Sequence, residues 1–233
     1  MSPELTSTPS TPSTPQGTER RREILKCAID VFGEAGYAGA RIDEVARRVG
    51  IRRPSILYHY PDKQALYSAA VSSVVAEIVD RVLATEKIPG ERLDAIADAW
   101  VDFVIARPNA ARVLLRQMLD ADPTLTRMTQ APVRELLESI QSAIDDSMNT
   151  DREKTLDANE FALILSSTSL VWVASRSAIE GALGLDTLSP QSIQRHRRML
   201  HALTRQLVAA SGEAGPAQTE IRPASPARKT RKR

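Results

Sequence analysis

The sequence predicts an all-α protein: a small N-terminal helical head followed by a larger helical bundle. Three observations lead there. Apolar residues make up 42% of the 233 positions but aromatics only 4%, so Ala, Leu, Ile and Val supply most of the hydrophobes, a balance that favours helix over sheet. From about residue 19 to 210, apolar positions recur with helical spacing. Glycine and proline fall between these periodic stretches, as at Gly36, Gly50, Pro61, Pro108 and Pro190.

Residues 1–17 repeat Ser-Thr-Pro over 7–15 without apolar periodicity and read as a disordered or polyproline-like tail. The first helix is predicted from about Glu19 to Ala35, with Thr18 as N-cap and Ile24, Ala28, Val31 and Phe32 facing inward. Arg20, Arg21 and Arg22 crowd its start, where the helix dipole disfavours cations. A nearby phosphate backbone would offset that, and so would simple solvation. Gly36 ends the helix and Tyr37 turns back onto it.

Residues 42–63, IDEVARRVGIRRPSILYHYPDK, join two short helices by a tight turn. Ile42, Val45, Ala46 and Val49 lie on one helical face, and Gly50 supplies the positive φ that stops that helix. Pro54 stands just inside the start of the next helix, which closes at Tyr60 before Pro61. This pattern predicts a helix-turn-helix whose second helix enters the DNA major groove. Ile56 and Tyr60 are spaced to face inward, leaving Arg52, Arg53, Ser55, Tyr58 and His59 outward, residue types that reach phosphates and base edges. The plainer alternative is a solvated helix with two ordinary surface arginines.

Beyond Lys63 the periodicity predicts a helix to about Thr85, a fifth over 91–106, a sixth to about Leu119 and a seventh over 132–148. Residues 157–182 are apolar around most of the circumference, which predicts a single long buried helix. Ser189-Pro190 gives an N-cap and a first-turn proline to a last helix over 190–210. There Ile193, His196, Leu200, Leu203 and Leu207 alternate at three and four residues, the seam of a packed helix pair. Residues 212–233, ending PARKTRKR, read as a disordered basic tail.

Charge is unevenly placed. Residues 18–70 hold ten Lys/Arg against seven Asp/Glu, residues 71–211 fifteen against nineteen, and residues 212–233 six against two. A phosphate-binding module on an acidic body has this distribution. No catalytic constellation is present in the sequence: one cysteine (Cys27), three scattered histidines, no Gly-rich phosphate loop and no nucleophile elbow. No enzyme activity, cofactor or metal is therefore expected. The sequence has neither a secretory-signal pattern nor an apolar run of about 18 residues, so no membrane association is expected either.

Residues 20–66 resemble the tetracycline-repressor (TetR) family of bacterial regulators. The resemblance rests on AIDVFGEAGYAGARIDEVARRVGI followed without gaps by RRPSILYHYPDKQAL. It implies a DNA-binding domain at 18–62 and an effector-binding and dimerisation domain at 63–211. It assigns Arg53, Pro54 and Ser55 to the groove-facing start of the recognition helix, Tyr58 and His59 to DNA contact and Lys63 to phosphate. Arg41 and Arg52 join them as candidate phosphate contacts. Two departures stand out: Leu57 replaces the family's usual Tyr, and Ala40-Arg41 replaces the usual Ser or Thr cap.

The same resemblance implies a homodimer joined through the last two long helices, with Leu170, Ile193, His196, Leu200, Leu203 and Leu207 as interface candidates. It also implies an effector pocket, for which Trp100, Phe103, Met118, Met128, Phe161, Trp172 and Arg176 are candidates. The expected function is a sequence-specific transcriptional regulator, a repressor released from operator DNA by a small molecule, in the bacterial cytoplasm and nucleoid-associated. A non-specific DNA-coating protein or a helical interaction protein are the alternatives.

Overall fold

The computed structural model describes residues 15–87, 92–120, 123–147 and 156–213. Among these there are ten α-helices, one 3-10 turn and no strand. The head comprises α1 (Pro15–Gly39), α2 (Ile42–Val49) and α3 (Arg53–His59). The body follows as α4 (Lys63–Leu83), α5 (Arg92–Ala106), α6 (Pro108–Asp120), α7 (Pro123–Ser147), α8 (Ala158–Ala174), α9 (Arg176–Leu183) and α10 (Pro190–Glu213). The Ser-Thr-Pro repeat up to 14, the breaks at 88–91, 121–122 and 148–155, and the tail from 214 lie outside the described residues.

Local chemistry explains most boundaries. Asp62 and Asp157 cap α4 and α8, accepting hydrogen bonds from the amides of Ala65 (2.7 Å) and Glu160 (2.8 Å). The expected cap of α10 is also present, with Ser189 Oγ accepting from the Ser192 amide at 3.3 Å. Gly50 ends α2 at φ 75°, and the Ile51 amide reaches back to the Ala46 carbonyl at 3.0 Å.

Three boundaries differ from the sequence expectation. Helix α1 begins at Pro15 and continues past a break at Gly36 (φ 71°, ψ 172°) to Gly39, so residues 15–17 are helical. Helix α7 starts nine residues early and runs through Pro132, whose missing amide falls on a half-exposed stretch. The long helix expected at 157–182 is two helices, α8 and α9, bent by 69° at Ser175. No glycine or proline marks that bend. Just after it the Arg176 guanidinium pairs with Asp186 at 3.0 Å, tying the start of α9 to its own exit loop. No single described helix is long and apolar enough to cross a membrane.

One apolar cluster runs through the head (Ile24, Phe32, Val45, Ile56) and the body (Val74, Phe103, Ile144, Phe161, Leu200). Helix α4 packs on both α1 and α7, and α6 packs on both α1 and α8. Head and body are thus joined by two helices rather than by a linker. Helix α10 lies on α5 along a ladder of charges: Arg205 to Asp94 (3.3 Å), His201 to Asp98 (3.1 Å) and Arg197 to Asp98 (2.8 Å), with Arg197 also bonding Asp102.

Candidate nucleic-acid interface

Helix α3 is amphipathic across a single turn. Ile56 and Tyr60 point into the head core, 0% and 3% exposed. Arg53, Pro54, Ser55 and Tyr58 face outward, and Tyr58 is 86% exposed. Its ring and its hydroxyl are both open to a partner. His59 is half-buried and meets the Tyr58 ring edge-on at 5.3 Å. The first turn of α3 lacks acidic residues, so the outward face carries only neutral and cationic groups.

Three of the expected DNA-contact residues, Arg41, Arg53 and Lys63, line one cleft of about 450 Å³ beside the starts of α2 and α4. Arg41 is the N-cap of α2: its carbonyl accepts from the amides of Glu44 (3.1 Å) and Val45 (3.4 Å), and its side chain makes no cap, leaving the guanidinium in the cleft beside Asp43 and Asp62. Arg53 is only loosely held, 3.5 Å from Asp43. Lys63 is more engaged: its ammonium donates to the Ala38 carbonyl at 3.1 Å and sits 4.8 Å from the Tyr37 ring. Arg41 and Arg52 make no ion pair among the described residues and are fully available.

Other arginines of the head are spoken for. Glu44 accepts from Arg47 (2.6 Å) and Arg48 (2.8 Å), and these bonds hold its carboxyl down to about 2. Arg48 also grips Glu34 of α1 at 2.7 and 2.9 Å. The i, i+3 and i, i+4 spacing of Glu44 with these arginines is what lets one carboxylate hold both. Of the N-terminal cluster, Arg20 and Arg22 pair with Glu23 and Glu19. Arg21 instead lies over the Tyr60 ring at 5.7 Å, which brings a cation to the end of α3 that sequence spacing could not reveal.

The effector candidates are not brought together. Trp100, Phe103 and Phe161 are close-packed core residues, with Trp100 stacked on Phe103 and its indole N–H donating to the Leu165 carbonyl at 3.2 Å. Met118 and Met128 are exposed. Arg176 is consumed by Asp186 rather than by Glu180. Trp172 belongs to a different place, a groove of about 320 Å³ between α8 and α10 that it shares with His196 and Met199.

The dimer candidates also need correcting. Leu170 and Leu200 are 1% exposed and His196 6%, all buried within the single chain. The His196 ring stacks on Trp172 at 4.3 Å, with Nε2 3.1 Å from Ser169 Oγ, and burial pushes its pKa below the usual imidazole range. Ile193, Leu203 and Leu207 are half-buried. The apolar side chains exposed on the last helices are different ones: Leu163 and Val171 on α8, Leu183 at the end of α9, Leu185 just after it, and Met199 on α10.

A family model described as "Bacterial regulatory proteins, tetR family" matches residues 24–70. The HTH-type transcriptional activator FasR of Mycolicibacterium smegmatis is 29% identical over 149 residues, a match that spans 63% of this chain and 65% of FasR. A TetR-like regulator from Rhodococcus sp. RHA1 superposes with a TM-score of 0.60 at 19% identity, over 82% of this chain and 96% of that one. The regulator FadR of Bacillus subtilis, solved in complex with stearoyl-CoA, superposes with a TM-score of 0.59 at 14% identity, over 82% and 97%. The two-helix motif and the outward α3 face thus lie within the stretch that matches the tetR-family model, and the chain has the fold of TetR-like regulators.

Proposed function

We propose that the chain is a homodimeric transcriptional repressor that reads operator DNA with α3 and is released by a small molecule. The division of labour follows the two parts of the fold: a head over residues 18–62 and a body over 63–211. Arg41, Arg52 and Lys63 set the register on phosphates, with Arg21 a further cation beside them. Arg53, Ser55, Tyr58 and His59 test base edges. The observation that carries this reading is the α3 face itself, Tyr58 standing 86% exposed beside Arg53 and Ser55 over a buried Ile56.

Dimerisation is supported by the apolar side chains that the last helices and the loop after α9 leave in water, Leu163, Val171, Leu183, Leu185 and Met199. A second copy related by two-fold symmetry would cover them and present two heads to successive major grooves. Effector release is supported by the relative solved with stearoyl-CoA. In this chain a ligand of that bulk would have to part α5 from α8 around Trp100, Phe103 and Phe161, which couples binding to a movement of the body. This work is done on DNA in the bacterial cytoplasm.

Fluorescence anisotropy tests the reading, using the duplex upstream of the protein's own gene beside a scrambled one across a salt series. The expected preference for the upstream duplex is at least about a thousandfold, lost on joint Arg53→Ala and Ser55→Ala substitution. Equal, steeply salt-dependent binding to both duplexes would point instead to a DNA-coating protein.

A further inference from the structure

The joint between α6 and α1 is pinned by hydrogen bonds at both ends. Arg116 Nη1 on α6 donates to two carbonyls of α1, Phe32 at 2.7 Å and Gly33 at 3.1 Å. Those carbonyls lie just before Gly36 breaks α1, where the helix dipole is negative and a guanidinium is favoured. The same guanidinium covers Gly36, where an added Cβ would meet it at 3.4 Å. Two turns earlier on α6, Asn109 donates to Asp30 of α1 at 3.1 Å. Between these bonds the backbones touch: a Cβ on Gly33 would lie 2.6 Å from the Asn109 carbonyl oxygen.

Apolar helix faces can slide over one another, whereas backbone contact pinned by hydrogen bonds at both ends cannot. The joint is also connected on each side. Helix α6 packs on α8, which carries two of the exposed apolar side chains, Leu163 and Val171. Helix α1 is tied through Glu34 to Arg48 of α2, the helix that carries α3.

We propose that Arg116 is a positioning residue for operator binding, fixing the angle at which the body presents the head and so the half-site spacing the protein accepts. This rests on the reading of the protein as a dimeric operator-binding regulator. Adding two base pairs between half-sites moves them apart by about 7 Å and rotates them by about 70°. Heads clamped to a rigid body cannot follow such a change; heads released from Arg116 can.

The test uses a duplex selected by the wild-type protein from a random library, with its half-site spacing then varied by one and two base pairs either way. Wild type is expected to lose at least about tenfold in affinity at two base pairs, and Arg116→Ala to lose less than about threefold. Affinity for a single half-site should be equal in both. Arg116→Lys, which keeps the charge and one donor, should restore much of the discrimination. An Arg116→Ala profile as sharp as wild type overturns the proposal. So does an Arg116→Ala protein that loses single half-site binding, since that would make the residue merely structural. A wild type that selects no two-part sequence would overturn the dimeric operator reading itself, and that arm contains no variant.

Discussion

Replacing Gly33 by alanine puts two effects in opposition. Within a helix the change ordinarily stabilises by about 1 kcal/mol, because glycine has more backbone freedom to lose. At this position the new Cβ would lie 2.6 Å from Asn109 Cβ, 2.6 Å from its carbonyl oxygen and 2.8 Å from its Cα. All three atoms sit roughly 1 Å inside ordinary contact, and two are backbone, so α1 and α6 must separate. Overpacking of this kind costs about 3 kcal/mol at the upper end of its usual range. The net expectation is a loss of about 2 kcal/mol, which for a chain of this size lowers the melting temperature by about 4–8 °C. Gly181→Ala in α9 is the control, since nothing lies within 4 Å of its Cβ position. It should raise the melting temperature by about 1–4 °C. Thermal unfolding followed by circular dichroism measures both. A Gly33→Ala protein as stable as wild type would refute the claim that backbone contact joins head to body, and with it the rigidity assigned to that joint.

Other expectations can be checked together. Tyr58→Ala should weaken operator binding by about 10–100-fold and leave the melting temperature unchanged, because the ring contributes nothing to the core. The Glu44 carboxyl sits near 2, below its ordinary 4.5, so its ion pairs stabilise the fold fully above 4.5 and progressively less as pH falls towards 2. Glu44→Gln should flatten the melting-temperature profile across that window. It should also free Arg47 and Arg48, making the salt dependence of non-specific DNA binding steeper. For His196 the folded pKa lies below the usual 6.5, so the unfolded chain binds the proton more readily and stability falls as pH drops below about 6.5. His196→Gln should remove that component, and a wild-type melting temperature that does not fall between pH 7.5 and 5.5 would contradict it. Val171→Asp should lower the sedimentation mass from dimer to monomer if α8 is covered by a second copy.

The head was readable from sequence because its signals are local. The Ile42–Val49 face, the Gly50 turn, Pro54 and the closing Tyr60 each act within one helical turn, and each stands where the spacing put it. The body was readable in helix number but less so in partners. Periodicity says that Leu200 and His196 face something; it does not say whether that is α8 of the same chain or of another. The bend at Ser175 escaped because no glycine or proline marks it. The effector candidates were chosen as large side chains at helical spacing, and such residues in Trp100, Phe103 and Phe161 turned out to fill the core. Arg116 and Gly33 gave no signal, because a hydrogen bond over 83 residues of chain has no periodicity to betray it.

The charge ladder between α5 and α10 gives the last helix a property of a rack and pinion. Its acids stand at 94, 98 and 102 and its bases at 197, 201 and 205, both on a four-residue pitch. Two combs of equal pitch engage at discrete stations, here about 6 Å apart, and slipping by one station forfeits a single rung. Leu200, seated in the core between the rungs, selects the present station. The middle tooth is His201, which grips Asp98 as an ion pair only when protonated. Helix α10 therefore has preferred positions rather than a continuum of them. Because it carries Met199 on its outer side, any change of station would move one of the body's exposed apolar side chains by about a full helical turn at once.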